Sequence, residues 1–115
     1  IYAVTIENHG PWEADPGVSS LADGYMRLVR NSDAMLVTLR DELVKLMRPA
    51  TLVFFGDHRP SIPGVSMPGG ARHTPYVIVR TDGAGKILPG EGLRIDLTPA
   101  ELHHTVLGLL SGRAV

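Results

Sequence analysis

Asp57 and His58 are adjacent residues whose side chains, a carboxylate and an imidazole, are both ligands for divalent metal ions. They follow the apolar run Thr51 to Phe55, which is typical of a buried strand, and Gly56, which breaks it. This pair suits zinc, manganese or iron better than calcium. Since a metal site needs further ligands, the pair is either part of a metal site or a Gly-Asp turn beside an exposed histidine.

Other loop residues have side chains that bind anions or transfer protons. His9 could contact an anionic substrate or act in proton transfer, or be a loop histidine bonded to the backbone. Glu7 is either a further metal ligand or solvated. Arg59 and Arg72 lie in the loop after Gly56 and match phosphate or sulfate, although most loop arginines are only solvated.

The first half of the chain predicts a strand, a long helix and a second strand. Ile1 to Ile6 is apolar and β-branched, and helical spacing of apolar residues predicts a helix from about Ser20 to Met47, capped by Ser19 or Ser20. Thr51 to Phe55 forms the next strand. A helix between two strands predicts a right-handed crossover and a parallel strand pair, hence an α/β fold.

The second half predicts one more strand and a closing helix. Residues 56–73 form a loop with three prolines and four glycines, a length typical of functional or mobile loops. The strand follows at residues 74–80, with a short extended piece at Lys86 to Leu88. Thr98, Pro99 and Glu101 form the pattern of a capping box that starts a helix ending at Gly112.

Parallel pairing of the first two strands would bring the candidate residues together. Ligands of open α/β sheets lie outside the carboxyl ends of the strands. His9 follows the first strand, and Asp57 and His58 follow the second. We therefore expect these three side chains at one edge of the sheet.

Composition limits the classes of function. The chain has 115 residues, which suits one domain covering residues 1–115, and its net charge of −1 gives no argument for nucleic-acid binding. It has no cysteine, which excludes disulfides and thiolate catalysis. No apolar run is long enough to span a membrane, although a parent protein could carry such a segment.

The segments "TIENHGPW", "TLVFFGDH", "HTPYVIV" and "IDLTPAELHHTVLGLLSG" resemble, in this order, the sulfatase-like branch of the alkaline phosphatase superfamily. The closer likeness is to lipoteichoic acid synthase and phosphoglycerol transferase enzymes. The resemblance covers nearly the whole chain. It implies the C-terminal portion of a sulfatase-like catalytic domain, with a mostly parallel sheet and packed helices.

The resemblance also implies roles for individual residues. Asp57 and His58 match two ligands of a catalytic divalent ion, with manganese or magnesium favoured over zinc or calcium, and His9 matches a histidine that contacts the substrate. No segment matches the family's nucleophile or its upstream acidic ligand, so we expect no catalytic nucleophile in this chain, weak or absent metal binding and no activity alone.

Two functional hypotheses follow from these residues. The first is part of a metal-dependent phosphoglycerol transferase or sulfatase-type hydrolase that acts on a phosphate or sulfate ester of a glycan or lipid in envelope or capsule polymers. The family location would then be the periplasm or the outer face of the bacterial cytoplasmic membrane. The second is a non-catalytic interaction or structural domain that keeps the sulfatase-like fold.

Overall fold

The computed structural model describes residues 1–12, 20–67, 69–90, 92 and 94–112. Within them the element order is helix α1 (Leu21–Lys45), strand β1 (Ala50–Phe55), strand β2 (Tyr76–Thr81) and helix α2 (Pro99–Leu110). Two helices and a two-stranded sheet make this a small α/β unit. No helix among the described residues is long and apolar enough to cross a membrane.

Helix α1 confirms the helix that the spacing of apolar residues predicts. Ser20 is its N-cap, and the Ser20 hydroxyl oxygen accepts a 3.2 Å hydrogen bond from the Asp23 backbone N–H. Ser19, the other predicted cap, lies outside the described residues. The helix ends at Lys45, and Met47 takes a left-handed conformation with φ of 50° before the chain turns into β1.

Helix α2 begins at the predicted capping box. The Glu101 N–H donates to the Thr98 hydroxyl oxygen at 3.2 Å, and the Thr98 N–H donates to Glu101 Oε2 at 2.7 Å. Pro99 occupies the first turn, where its missing N–H costs no hydrogen bond. Gly112 follows the helix with φ of 72°, a left-handed conformation that favours glycine.

The sheet differs from the predicted one because its two strands are antiparallel. Ala50 pairs with Thr81 and Phe55 with Tyr76, so β1 and β2 form a hairpin closed by the loop of residues 56–75. Residues 1–6 form no strand. The parallel pair around α1 is therefore absent from this structure, and a mostly parallel sheet is not confirmed.

Few apolar side chains are fully buried. Ile62, in the loop between the strands, is the one buried hydrophobic residue among those described. Four residues of the first segment are strongly exposed, and they are Ile1, Tyr2, Val4 and Ile6. In a strand, Tyr2, Val4 and Ile6 would lie on one face and Ile1 on the other.

Candidate functional site

Asp57 and His58 lie just beyond the last paired residue of β1, and both are exposed. The His58 N–H donates to Asp57 Oδ1 at 2.9 Å, which fixes the carboxylate beside the following peptide. The second carboxylate oxygen, Oδ2, lies 3.6 Å from His58 Nε2. The chain therefore presents one oxygen and one nitrogen donor side by side.

The His58 ring is oriented by its backbone. Its Nδ1 lies 3.1 Å from the carbonyl oxygen of Arg59. A carbonyl oxygen only accepts, so Nδ1 carries the proton and Nε2 of the neutral ring keeps its lone pair. A backbone carbonyl on one ring nitrogen is a common arrangement for histidines that bind metal through the other.

The donor pair fits one divalent ion as a partial site. Two ligands at about 2.1 Å from one ion lie about 3.0 to 3.4 Å apart in octahedral or tetrahedral geometry. The 3.6 Å separation of Asp57 Oδ2 and His58 Nε2 is close to this range. Among the described residues, no group of three or more acidic, histidine or cysteine side chains could hold a metal.

His9 has the same ring arrangement in a different segment. Its Nδ1 lies 2.7 Å from the Gly10 carbonyl oxygen, so Nε2 of the neutral ring is again the free nitrogen. The His9 N–H donates to the Ile6 carbonyl at 3.0 Å, which closes a turn after the first segment. The His9 side chain is exposed.

Helix α1 holds the turn that carries His9. Ser32 is buried at 6% exposure, and its hydroxyl donates to Asn8 Oδ1 at 3.0 Å. The Asn31 side chain donates to Glu7 Oε1 at 2.7 Å, so Glu7 is bonded to the helix. The Trp12 indole donates to the Asn8 carbonyl at 3.0 Å.

Asn8 and Ser32 were not identified as site-supporting residues from the sequence. Ser32 lies four residues after Leu28 on the apolar stripe of α1, and a hydroxyl on a buried stripe needs a partner. The sequence therefore indicates that the Ser32 hydroxyl needs a hydrogen-bond partner, but it does not identify Asn8 as that partner. Trp12 packs edge-on against Tyr25 of α1, with ring centroids 5.8 Å apart, and adds an apolar contact to the same turn.

Hydrogen bonds close the base of the loop after β1, and a backbone bridge joins two residues inside the loop. Gly56 N–H donates to the Pro75 carbonyl at 3.1 Å, and the Thr74 hydroxyl donates to the Gly56 carbonyl at 2.6 Å. Ile62 and Ser66 form an isolated antiparallel bridge. Asp57 and His58 therefore project from a defined hairpin end.

A cavity of about 380 Å³ lies within this loop. Its lining includes Asp57, His58, Arg59 and Arg72. Arg59 Nε donates to the His73 carbonyl at 2.7 Å, a contact across the loop. Of the remaining histidines, His103 and His104 lie on α2 and stack edge to face, with ring centroids 5.7 Å apart.

The structure does not bring the three predicted site residues onto one sheet edge. Asp57 and His58 lie together at the carboxyl end of β1. His9 lies on a turn bonded to α1, after a segment that is not part of the sheet. The shared edge required a parallel strand pair, and that pair is not formed here.

Comparisons with known proteins point to one family. The sequence matches the Sulfatase family over residues 1–112. It is 39% identical over 82 residues to the capsular polysaccharide biosynthesis protein RkpI of Rhizobium meliloti (strain 1021). That alignment covers 68% of this chain and 15% of the relative, so the chain spans a small part of that protein's length. No solved structure matches the chain.

Proposed function

Because the chain belongs to the sulfatase family, we propose that it supplies Asp57 and His58 to the divalent metal site of a longer catalytic domain. The observation that carries this proposal is the paired presentation of Asp57 Oδ2 and His58 Nε2, 3.6 Å apart. When bound, the ion would stabilise negative charge on a transferred phosphate or sulfate group. Manganese or magnesium is the proposed ion, and the remaining ligands come from outside the described residues.

The proposed reaction is cleavage or transfer of a phosphate or sulfate ester on an envelope or capsule polymer. The relative's name concerns capsular polysaccharide biosynthesis, which supports a polymer substrate. Phosphoglycerol transfer and sulfate-ester hydrolysis are the two candidate reactions. His9 would donate a hydrogen bond from protonated Nε2 to an anionic oxygen of the substrate, or accept a proton there when neutral.

We propose that residues 1–6 join β1 as a parallel strand in the longer domain. The strong exposure of the apolar side chains of Ile1, Tyr2, Val4 and Ile6 supports this placement, since pairing within a larger sheet would cover them. The pairing would bring the turn with His9 to the carboxyl end of β1, next to Asp57 and His58. The chain alone is then expected to be inactive and to bind metal weakly, since two ligands leave an ion mostly hydrated.

Paramagnetic broadening by Mn²⁺ tests the metal proposal on the chain itself. We expect substoichiometric Mn²⁺ to broaden the NMR amide signals of Asp57 and His58 first. Asp57→Ala should remove this selective broadening, because it removes a charged ligand. Asp33→Ala, which removes an exposed carboxylate of α1, is the matched control and should leave the broadening unchanged.

Two results would contradict the metal proposal. One is broadening that centres on other carboxylates and ignores Asp57. The other is equal loss of broadening in the Asp57→Ala and Asp33→Ala variants, which would indicate non-specific attraction to acidic side chains. In the longer protein, Asp57→Ala should also abolish ester cleavage in the presence of Mn²⁺, and full activity of that variant would exclude the role.

A further inference from the structure

We propose that the cavity between Arg59 and Arg72 binds an oxyanion of the substrate polymer, next to the ester that reacts. The choice of substrate rests on the proposed function. The geometry of the cavity does not depend on it. The cavity is also lined by Asp57 and His58, so a group bound in it lies beside the proposed metal ligands.

The lining of the cavity is cationic. Arg59 and Arg72 contribute two guanidinium groups, and Asp57 is the one acidic residue in the lining. Among the described residues, neither arginine forms an ion pair with a carboxylate. Guanidinium groups bind phosphate, sulfate and carboxylate through paired N–H donors, so the cavity favours an oxyanion.

Arg59 is held in place before any ligand binds. Its Nε donates to the His73 carbonyl at 2.7 Å, which leaves the two terminal nitrogens for another acceptor. The His73 carbonyl belongs to the far side of the loop, so this bond links the two sides of the loop. Fixing the side chain in advance lowers the entropy cost of binding.

Two serines add neutral donors to the same lining. Ser61 and Ser66 both line the cavity. Ser66 is positioned by its backbone bridge to Ile62, in which the Ile62 N–H donates to the Ser66 carbonyl at 2.8 Å. Ile62 is buried at 2% exposure and anchors this part of the loop. Hydroxyl donors beside guanidinium groups suit a multi-oxygen anion such as sulfate or phosphate.

The proposed metal site at Asp57 and His58 and the cavity lined by Arg59 are neighbours, because these residues are close along the chain. Arg59 is two residues after Asp57, which limits the separation of their Cα atoms to about 7 Å. A polymer with repeated anionic groups could place one group at the metal site and one in the cavity. We therefore assign the cavity to a second anionic group of a polyanionic glycan.

The test uses the chain with chelator present, so that metal binding does not contribute. Inorganic sulfate and pentosan polysulfate are titrated separately and followed by NMR amide shifts. We expect shifts centred on Arg59, Ser61 and Arg72, with the polysulfate binding about tenfold or more tighter than sulfate, because linked groups bind together. Arg72→Gln and Arg59→Gln should each weaken polysulfate binding about fivefold or more.

Arg80→Gln is the matched control. Arg80 is exposed on β2 and pairs with Thr51, at the end of the sheet away from the loop. Its substitution should change the affinity less than about twofold, since only long-range charge is lost. Arg72 has no hydrogen bond within the described structure, so Arg72→Gln should leave the Gly56 and Thr74 amide signals of the loop base unchanged.

Three results would overturn the inference. Equal weakening by Arg80→Gln and Arg72→Gln would show non-specific attraction. Shifts centred outside the loop would place the anion elsewhere. Polysulfate binding no tighter than sulfate would exclude a polymer group as the ligand. Failure of the Mn²⁺ experiment would leave all three measurements intact, so the two proposals fail separately.

Discussion

The Ser32 hydroxyl of α1 donates a 3.0 Å hydrogen bond to the side chain of Asn8, the residue immediately before His9. The two residues are 24 positions apart, and Ser32 lies in the middle of the longest helix. This buried hydroxyl is therefore one of the contacts that connect the turn with His9 to α1. This hydrogen bond leads to a prediction for a variant that lacks the Ser32 hydroxyl.

Ser32→Ala should loosen the turn that carries His9. The substitution removes the donor to Asn8 Oδ1 and should lower the free energy of unfolding by about 1 kcal/mol. We also expect the Trp12 indole N–H to exchange faster, because its acceptor is the Asn8 carbonyl. Thr38→Ala is the control, since the Thr38 hydroxyl bonds only to Ala34 within α1. An unchanged Trp12 exchange rate in Ser32→Ala would show that the other contacts suffice.

The neutral rings of His9 and His58 should both carry their proton on Nδ1. Each Nδ1 faces a backbone carbonyl oxygen, of Gly10 and Arg59 respectively. Nitrogen NMR of the rings at pH values where both are neutral measures the tautomer directly. A proton found on Nε2 of His58 would leave that nitrogen unable to bind a metal and would contradict the site geometry.

Stability should fall in acid through the capping box of α2. Hydrogen bonds from the Thr98 backbone N–H, and then from its side chain, hold the pKa of Glu101 below its usual value. A lowered folded-state pKa gives stabilisation that is complete above the unfolded pKa of about 4.3 and is lost as pH falls through the folded value. Helicity measured by circular dichroism should therefore decrease below about pH 4.

Glu101→Gln separates the capping box from other acid effects. The Gln side chain keeps an acceptor for the Thr98 N–H but does not titrate. Its helicity should start lower and should lose the component of the pH dependence that comes from Glu101. The same acid transition in Glu101→Gln and in the unmodified chain would mean that other carboxylates dominate.

Gly85→Ala should destabilise the fold, whereas Gly83→Ala should not. Gly85 has φ of 76°, and a Cβ at this position would overlap the Val44 carbonyl oxygen at the end of α1. The expected loss is about 2 kcal/mol or more in thermal or urea unfolding. Gly83 lies in the same turn with open space around it, so its substitution is a matched control. Similar losses for both variants would indicate that the turn itself, not its packing on α1, is sensitive.

Local signals in the sequence predicted the helices and strands that the structure contains. Thr98, Pro99 and Glu101 identified the start of α2 because a capping box depends only on residues within one turn. The bridge between Thr81 and Ile87 likewise matches the predicted extended piece at Lys86 to Leu88. Such features are set by neighbouring residues and survive in any tertiary context.

Strand pairing could not be derived in the same way. The apolar pattern of residues 1–6 predicts an extended segment, but pairing needs a partner that supplies hydrogen bonds and covers both faces. In this structure β1 instead pairs with β2, which follows after a loop. The position of Asp57 and His58 after a strand was predicted because the apolar run ends at Phe55, and their role as metal ligands stays a prediction. The support of His9 by Ser32 depends on a long-range contact that no local pattern encodes.

The register between β1 and β2 sets the position of Asp57 and His58 relative to β2. Phe55 is matched to Tyr76, and Asp57 follows two residues later. A slip that preserved the inward and outward faces would have to be two residues long and would carry Asp57 about 7 Å along the sheet. That step exceeds three metal–ligand bond lengths, so such a slip would separate the proposed ligands Asp57 and His58 from any further ligand that did not move with β1.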